Sequence, residues 1–400
     1  MTGSAANSVY PVPTGWSLCT ADEIRSPEPH SCVAGPFGSK ISSKYFVDEG
    51  VPVIRGSNLR DDLTRFVPEG FVFVSDARAQ EYRPQHVRCG DLVFTCWGTI
   101  GQVGLIPDDG PYAEYIISNK QLKLRVDRSI ADPRFCFYYF ASPRYVEHIR
   151  NRGIGGAVPG INLGILKSLL IAMPPIAVQH RISDILSAYD GLIENNLRRM
   201  TLLEEAARQL FREWFIRLRF PGHEHTRIIN GVPDGWERVP LGDRVTLNYG
   251  KALKAEDRAD GPCPVYGSSG VVGTHDKALA SAPGIVVGRK GNVGSVYWCT
   301  KPYWPIDTVY FVDSETSNLW LYHALQHMHF LSTDVAVPGL NRDFAYSRLL
   351  LVPARRILRD FLETAIPLHE QIAKLDAMNE RLRAARDLLL PRLLSGELTA

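Results

Sequence analysis

Four hundred residues with 45% apolar content can bury two cores, and a net charge of +2 excludes a uniformly basic chain, so any anion-binding surface must be local. No run approaches the ~18 consecutive apolar residues of a membrane span, and residues 1–13 are polar, without a signal-peptide apolar core. The seven cysteines are odd in number, scattered and without Cys-x-x-Cys spacing, which argues against zinc and for reduced thiols in the cytoplasm.

In chain order, Pro13-Thr14-Gly15-Trp16 reads as a turn before a strand that starts at a buried tryptophan. Short strands are predicted over 51–55, 71–75, 91–96 and 101–106. Weak alternation and frequent glycine suit curved sheets joined by hairpins. Gly98-Thr99-Ile100-Gly101-Gln102-Val103-Gly104 lies between two of these strands. Ala157-Val158-Pro159-Gly160-Ile161-Asn162 precedes a short apolar run and Pro174-Pro175.

A long helix over 177–218 follows that pair of prolines. Ile182, Leu186, Tyr189, Ile193, Met200, Leu203, Ala207, Leu210 and Trp214 fall at steps of four and three, with Asn196 in the one gap. That 3.5-residue seam belongs to helices that wrap around a partner helix, and about forty residues make a rod of roughly 60 Å. Ile185, Leu192, Phe211 and Phe215 widen the stripe beyond what one helix covers. After a Pro-, Gly- and His-rich linker over 220–232, the order repeats. Pro233-Asp234-Gly235-Trp236 opens strands over 263–266, 284–287, 294–298 and 308–312. Gly291-Asn292-Val293-Gly294 matches the first glycine loop, and Ala336-Val337-Pro338-Gly339-Leu340-Asn341 matches the second motif. A second helix over 368–393, placed after Pro367, carries Leu368, Ile372, Leu375, Leu382, Leu389 and Leu393, interrupted by Asn379 and Arg386. The chain therefore reads as an α+β protein duplicated internally. Its expected parts are a globular domain over 1–175, a helix over 176–219, a second globular domain over 220–355, and a second helix with a tail over 356–400.

No catalytic constellation stands up. The glycine loop at Gly98 lies between strands, with no helix after it to bind an anion, so it reads as a hairpin with glycines at positive φ. Met173-Pro174-Pro175-Ile176 echoes a methyltransferase signature but has lost its acid and aromatic positions, and reads as a helix entry. His323 and His327 share helical spacing for a metal, without a neighbouring Glu, and read as incidental. No metal or cofactor site is expected in this chain.

Basic and amide side chains cluster instead in loops of both copies. The first copy has Lys40, Lys44, Arg55, Ser57, Asn58, Arg60, Trp97, Thr99, Gln102, Asn119, Lys120, Arg150 and Arg152. The second has Lys251, Lys254, Tyr266, Ser268, Ser269, His275, Arg289, Lys290, Asn292, Asn341 and Arg342. Arg and Lys suit guanine edges and phosphates, Asn and Gln suit adenine, and hydroxyls suit either. Double-stranded DNA, read at two places about a helical turn apart, is the ligand this pattern favours.

These features, in this order, resemble the specificity subunit of type I restriction–modification systems. The resembling residues are Ile54-Arg55-Gly56-Ser57-Asn58, Gly90-Asp91-Leu92-Val93-Phe94, Gln179-His180-Arg181-Ile182, Val265-Tyr266-Gly267-Ser268-Ser269-Gly270, Val287-Gly288-Arg289-Lys290-Gly291 and Leu393-Leu394-Ser395-Gly396-Glu397-Leu398. The resemblance implies two target-recognition domains separated by two antiparallel coiled-coil helices. It also implies a non-catalytic DNA-recognition role, with two methyltransferase (modification) subunits and restriction/translocase subunits as partners. S-adenosylmethionine, ATP and Mg would sit on those partners. Ile182, Leu186, Ile193, Leu203, Leu210, Trp214, Ile372, Leu375, Leu382 and Leu389 are the helix positions expected to bind a partner. The competing expectation is a coiled-coil scaffold with two protein-binding domains and no nucleic-acid role.

Overall fold

Trp16 and Trp236 each stand immediately before a strand that pairs with a strand far along the chain. The computed structural model describes residues 8–154, 160–330 and 339–399. They fall into two compact units, Met1–Glu194 with Asn379–Ala400, and Asn195–Met378.

In the first unit, β1 (Ser17–Thr20) and β11 (Leu170–Met173) pair antiparallel. Between them lie β2 (Cys32–Ala34), β3 (Phe46–Val47), β4 (Val51–Ile54), β5 (Val72–Val74), β6 (His86–Arg88), β7 (Leu92–Thr95), β8 (Val103–Leu105), β9 (Glu114–Ile117) and β10 (Gln121–Leu124). They form one sheet in the order β2-β10-β7-β8 and another in the order β3-β5-β4-β9-β6, with β4 and β9 parallel. Helices α1 (Asp76–Glu81), α2 (Pro133–Ala141), α3 (Pro143–Asn151) and α4 (Leu163–Lys167) join them, and α5 (Ile176–Phe211) leaves the unit. Ser75, Asp132 and Asn162 cap α1, α2 and α4 by accepting a first-turn N–H. Phe135, Phe137, Tyr138, Tyr139 and Phe140 of α2 are fully buried and supply much of the core.

The second unit repeats the plan. It contains β12 (Ile228–Ile229), β13 (Val232–Pro233), β14 (Glu237–Pro240), β15 (Asn248–Tyr249), β16 (Cys263–Gly267), β17 (Gly270–His275), β18 (Gly284–Gly288), β19 (Val296–Cys299), β20 (Trp304–Pro305), β21 (Val309–Val312) and β22 (Leu349–Val352). Its sheet β15-β21-β18-β19 has the order of β2-β10-β7-β8, and the parallel pair β16 and β20 repeats β4 and β9. Helices α6 (Leu319–Gln326) and α7 (Arg342–Tyr346) are capped by Asn318 and Asn341, and α8 (Arg355–Leu394) follows β22.

The helices depart from the sequence reading at two places. Helix α5 ends at Phe211 in a wide turn over Arg212–Ile216, closed by the Arg217 N–H donating to the Arg212 carbonyl at 2.8 Å. Helix α8 begins at Arg355, not after Pro367, and Pro367 lies inside it. An interior proline removes one helical donor and costs on the order of 3 kcal/mol. Ile357, Phe361 and Ala365, all buried in the second core, carry the helix up to it. The entry that matches Pro174-Pro175 before α5 is thus Pro353-Ala354 before α8.

In the first unit, Ile182 and Leu186 of α5 pack with Leu390, Leu393 and Leu394 of α8. In the second, Phe211 and Phe215 pack with Phe361, at ring distances of 6.1 and 5.0 Å. In the first unit, where Asp190 also meets Arg386, the two helices therefore run in opposite directions. Among the described residues no helix is long and apolar enough to cross a membrane.

Candidate nucleic-acid interface

The two glycine loops are hairpins of one design. In the first, the Thr95 N–H donates to the Gln102 carbonyl at 3.0 Å, and Gly98 and Gly101 take φ of 85° and 97°. In the second, the Gly288 N–H donates to the Ser295 carbonyl at 2.7 Å, and Gly291 and Gly294 take 79° and 80°. Side chains rarely adopt this region, which is why both loops need glycine at both places. Each loop is held from the side by its second motif. Gly160 bridges Trp97 and Ile161 N–H donates to Cys96, while Gly339 bridges Lys290 and Leu340 N–H donates to Arg289. Ala157–Pro159 and Ala336–Pro338 of that motif lie outside the described residues.

In the first unit, the loop borders a cleft of about 390 Å³ lined by Arg55, Trp97, Thr99, Gln102, Asn119 and Lys120. Trp97, 45% exposed, forms one wall. Thr99, Asn119 and Lys120 are exposed at the rim. Arg55 Nη2 donates to the Gly70 carbonyl at 3.0 Å, which fixes one arm of its guanidinium. Ser57 and Arg60 are exposed beyond it, and Lys40 and Lys44 are exposed on the preceding segment, Lys44 lying 4.6 Å from the Tyr45 ring. Arg150 is near the loop but engaged, donating to the Ile100 carbonyl at 3.2 Å and pairing with Asp61 at 3.2 Å. Arg152 is half-buried at the end of α3.

Two residues of the first set face inward. Asn58 is fully buried, accepts the Arg55 N–H, and donates to the Val67 and Glu69 carbonyls. A buried amide must find such partners, and none of its hydrogen-bonding capacity points outward. Gln102 reaches the cleft, but its amide accepts from the Thr95 hydroxyl and donates to the Leu59 carbonyl.

In the second unit, Lys290, Asn292, Lys251, Lys254 and Ser269 are exposed. Arg289 Nη1 donates to the Asp307 carbonyl at 2.9 Å, and its guanidinium lies over Tyr249 and Tyr310 at 5.2 and 5.7 Å. Arg342 lies over Tyr249 and Tyr346 at 5.0 and 5.9 Å. Asn341 caps α7, so its carboxamide oxygen is engaged with Asp343 and Phe344 N–H. Ser268 is buried beneath the loop, its hydroxyl accepting the Asn292 N–H. Tyr266 is half-buried beside Cys299 and Tyr303, and burial raises its hydroxyl pKa above the ordinary range. His275 pairs with Asp276, accepts the Ala259 N–H and packs edge-on against Trp304. These three side chains hold the loops in place.

Tyr249 was not among the expected residues. It is 51% exposed at a sheet edge and gathers Arg289 and Arg342 around its ring. The sequence Asn248-Tyr249-Gly250-Lys251, an aromatic beside a lysine, held a signal for it.

Of the helix positions, Ile182, Leu186, Ile193 and Leu375 are buried within the chain. Leu203, Leu210, Trp214, Ile372, Leu382 and Leu389 are half-buried. Histidines 323, 327 and 369 cluster in the second core, and among the described residues no set of ligands is grouped to hold a metal.

Residues 41–205 match the family model of the type I restriction modification DNA specificity domain. The chain is 21% identical over 421 residues to the type I restriction enzyme MjaIX specificity subunit of Methanocaldococcus jannaschii, covering 97% of this chain and 94% of that protein. It is 22% identical over 379 residues to the HindI specificity subunit of Haemophilus influenzae, covering 72% and 83%. The crystal structure of a type I restriction–modification S subunit from M. genitalium shares the fold, with a TM-score of 0.56 at 16% identity over 94% of this chain and 96% of that one. Residues 41–205 thus carry a type I restriction modification DNA specificity domain, and over most of its length the chain is similar to the specificity subunits of type I restriction enzymes.

Proposed function

We propose that this chain reads a bipartite DNA target, one half per unit, and directs methylation or cleavage by partner subunits. One observation carries the reading. The same hairpin, with the same glycines at positive φ, presents Trp97 and Thr99 in one unit and Lys290 and Asn292 in the other. A scaffold held constant while its presented side chains differ is what reading two different half-sequences requires. The gap between the halves follows from helices α5 and α8, which join the units in sequence.

The partners in this reading are double-stranded DNA, two modification methyltransferases and restriction/translocase subunits. S-adenosylmethionine, ATP and Mg²⁺ act on those partners, and this chain contributes recognition. Leu202 on α5 and Leu388 on α8, 69% and 72% exposed, are apolar surface available to them.

The test is the methylome of a host carrying this chain with its modification partner. Two short defined blocks around a fixed unspecified gap are expected, and exchange of residues 1–175 should change one block alone. A continuous motif, or methylation independent of this chain, would overturn the reading.

A further inference from the structure

We propose that Arg289 and Arg342, gathered on Tyr249, clamp one phosphate of the DNA backbone, and that the second unit has this anchor while the first lacks it. The proposal rests on the DNA-reading function above and names one contact within it.

Both guanidiniums lie within 5.2 Å of one ring centroid, and that ring is 51% exposed. Among the described residues no carboxylate forms an ion pair with either. Two like charges held together without a counterion repel, and the ring faces offset only part of that repulsion. An anion between them removes it. A guanine edge carries no charge and would leave it in place. One arm of Arg289 already donates to the Asp307 carbonyl, which also takes it away from a bidentate approach to a base. The platform is fixed beforehand. Tyr310 donates to the Leu340 carbonyl at 3.1 Å, and the Tyr346 hydroxyl accepts the Leu247 N–H at 3.0 Å. Ordering the two arginines in advance lowers the entropy lost on binding.

The duplicated scaffold supplies its own comparison. Thr95 and Gly288 close equivalent hairpins, so Cys96 stands where Arg289 does. Leu122 and Tyr310 pair with Phe94 and Val287, and opposite them stand Ala34 and Tyr249. Asn162 and Asn341 cap equivalent helices, so Leu163 stands where Arg342 does. The first unit thus offers Ala34, Cys96 and Leu163, with no cation and no ring. The clamp is a property of one reader and not of the shared fold.

The test uses the full chain with its modification partners, binding a target duplex and a scrambled duplex across a salt series. Arg342→Gln should flatten the slope of log affinity against log salt by about 0.9. It should weaken both duplexes by the same factor and leave the methylated motif unchanged. Arg342→Lys, which keeps the charge, should restore most of the slope, and this holds the reading apart from a folding defect. Tyr249→Leu should weaken both duplexes equally. An unchanged slope with relaxed preference at one base pair would make Arg342 a base reader and overturn the clamp. Unchanged affinity and slope would also overturn it. A wild-type complex that shows no salt-dependent binding to either duplex would instead overturn the DNA-reading function itself.

Discussion

Asp190 on α5 and Arg386 on α8 form an ion pair at 2.7 Å with side chains only 6% and 5% exposed. The Tyr138 hydroxyl donates to the same carboxylate, and Arg386 Nη2 also donates to the Asp62 carbonyl. The pair thus links both helices to the first core. A buried pair gains little over an apolar replacement, but removal of one partner strands a charge. Arg386→Met is therefore expected to cost about 3–5 kcal/mol, and Asp190→Leu with Arg386→Met together much less. Urea unfolding of the single and double variants measures this. A loss below about 1 kcal/mol in the single variant would show that the pair does not tie the helices down.

The helical seam was legible where it was apolar, because leucine and isoleucine at 3.5-residue spacing have few other uses. Its polar interruptions were legible as positions but not as contacts. Asn196, Asn379 and Arg386 are 3%, 0% and 4% exposed, and the carboxylate that meets Arg386 lies 196 residues away. Distance in sequence hid other features too. Lys123 sits in a fully buried strand, donating to the Pro84 and His86 carbonyls, and burial lowers its pKa to about 8. Nothing in Gln121-Leu122-Lys123-Leu124 announces that. Asn58 read as a base reader because it follows Arg55-Gly56-Ser57, and the loop that claims its amide is outside that local pattern. The apolar seam of the second helix was legible only after Pro367, a strong local stop signal that the core around Phe361 overrides, although the expected boundary at 356 lies beside the observed start at Arg355.

Arg55 and Asn292 belong to different units, so their loss is predicted to be felt at different halves of the target. Arg55→Ala should weaken or relax recognition of one half by about tenfold to hundredfold, in line with 1–3 kcal/mol per specific contact. Asn292→Ala should act on the other half. Binding to duplexes mutated in each half separately resolves the two. Equal loss at both halves for either variant would contradict one reader per unit.

His323 and His369 face each other in the second core, ring centroids 5.6 Å apart, and burial lowers both pKa values to about 4. Phe211, Phe361, Tyr322, His327 and Gln326 surround His323, and Arg208 lies near enough to disfavour its charge. The folded values lie below the ordinary value of 6.5, so the native state holds both rings neutral. Their contribution is complete above about pH 6.5 and is lost as pH falls toward about 4, at roughly 1.4 kcal/mol per pH unit for each ring that titrates only when unfolded. The second unit should therefore lose stability between pH 6.5 and 4. His323→Phe should flatten that dependence, as followed by thermal melting at several pH values. An unaltered pH slope in the variant would remove His323 from the account.

Trp97 lies across Gly160, and a Cβ built at Gly160 would come within 2.5–2.8 Å of the indole ring. Carbon atoms do not approach that closely, so one of the two must move. Trp97 is 45% exposed and sits on a hairpin tip, and it can swing outward at little cost to the core. Gly160→Ala is therefore predicted to leave the melting temperature within about a degree or two, since surface changes alter stability by only ~0.5 kcal/mol. It should instead displace the ring that walls the Arg55 cleft. The expected result is a shift in tryptophan fluorescence that is absent when the change is made on a Trp97→Phe background. Recognition of the half-target read by the first unit should weaken with it, while the other half is unaffected. A large drop in melting temperature with no Trp97-dependent shift would place the clash in the backbone, and would mean that Gly160 serves folding and not the cleft.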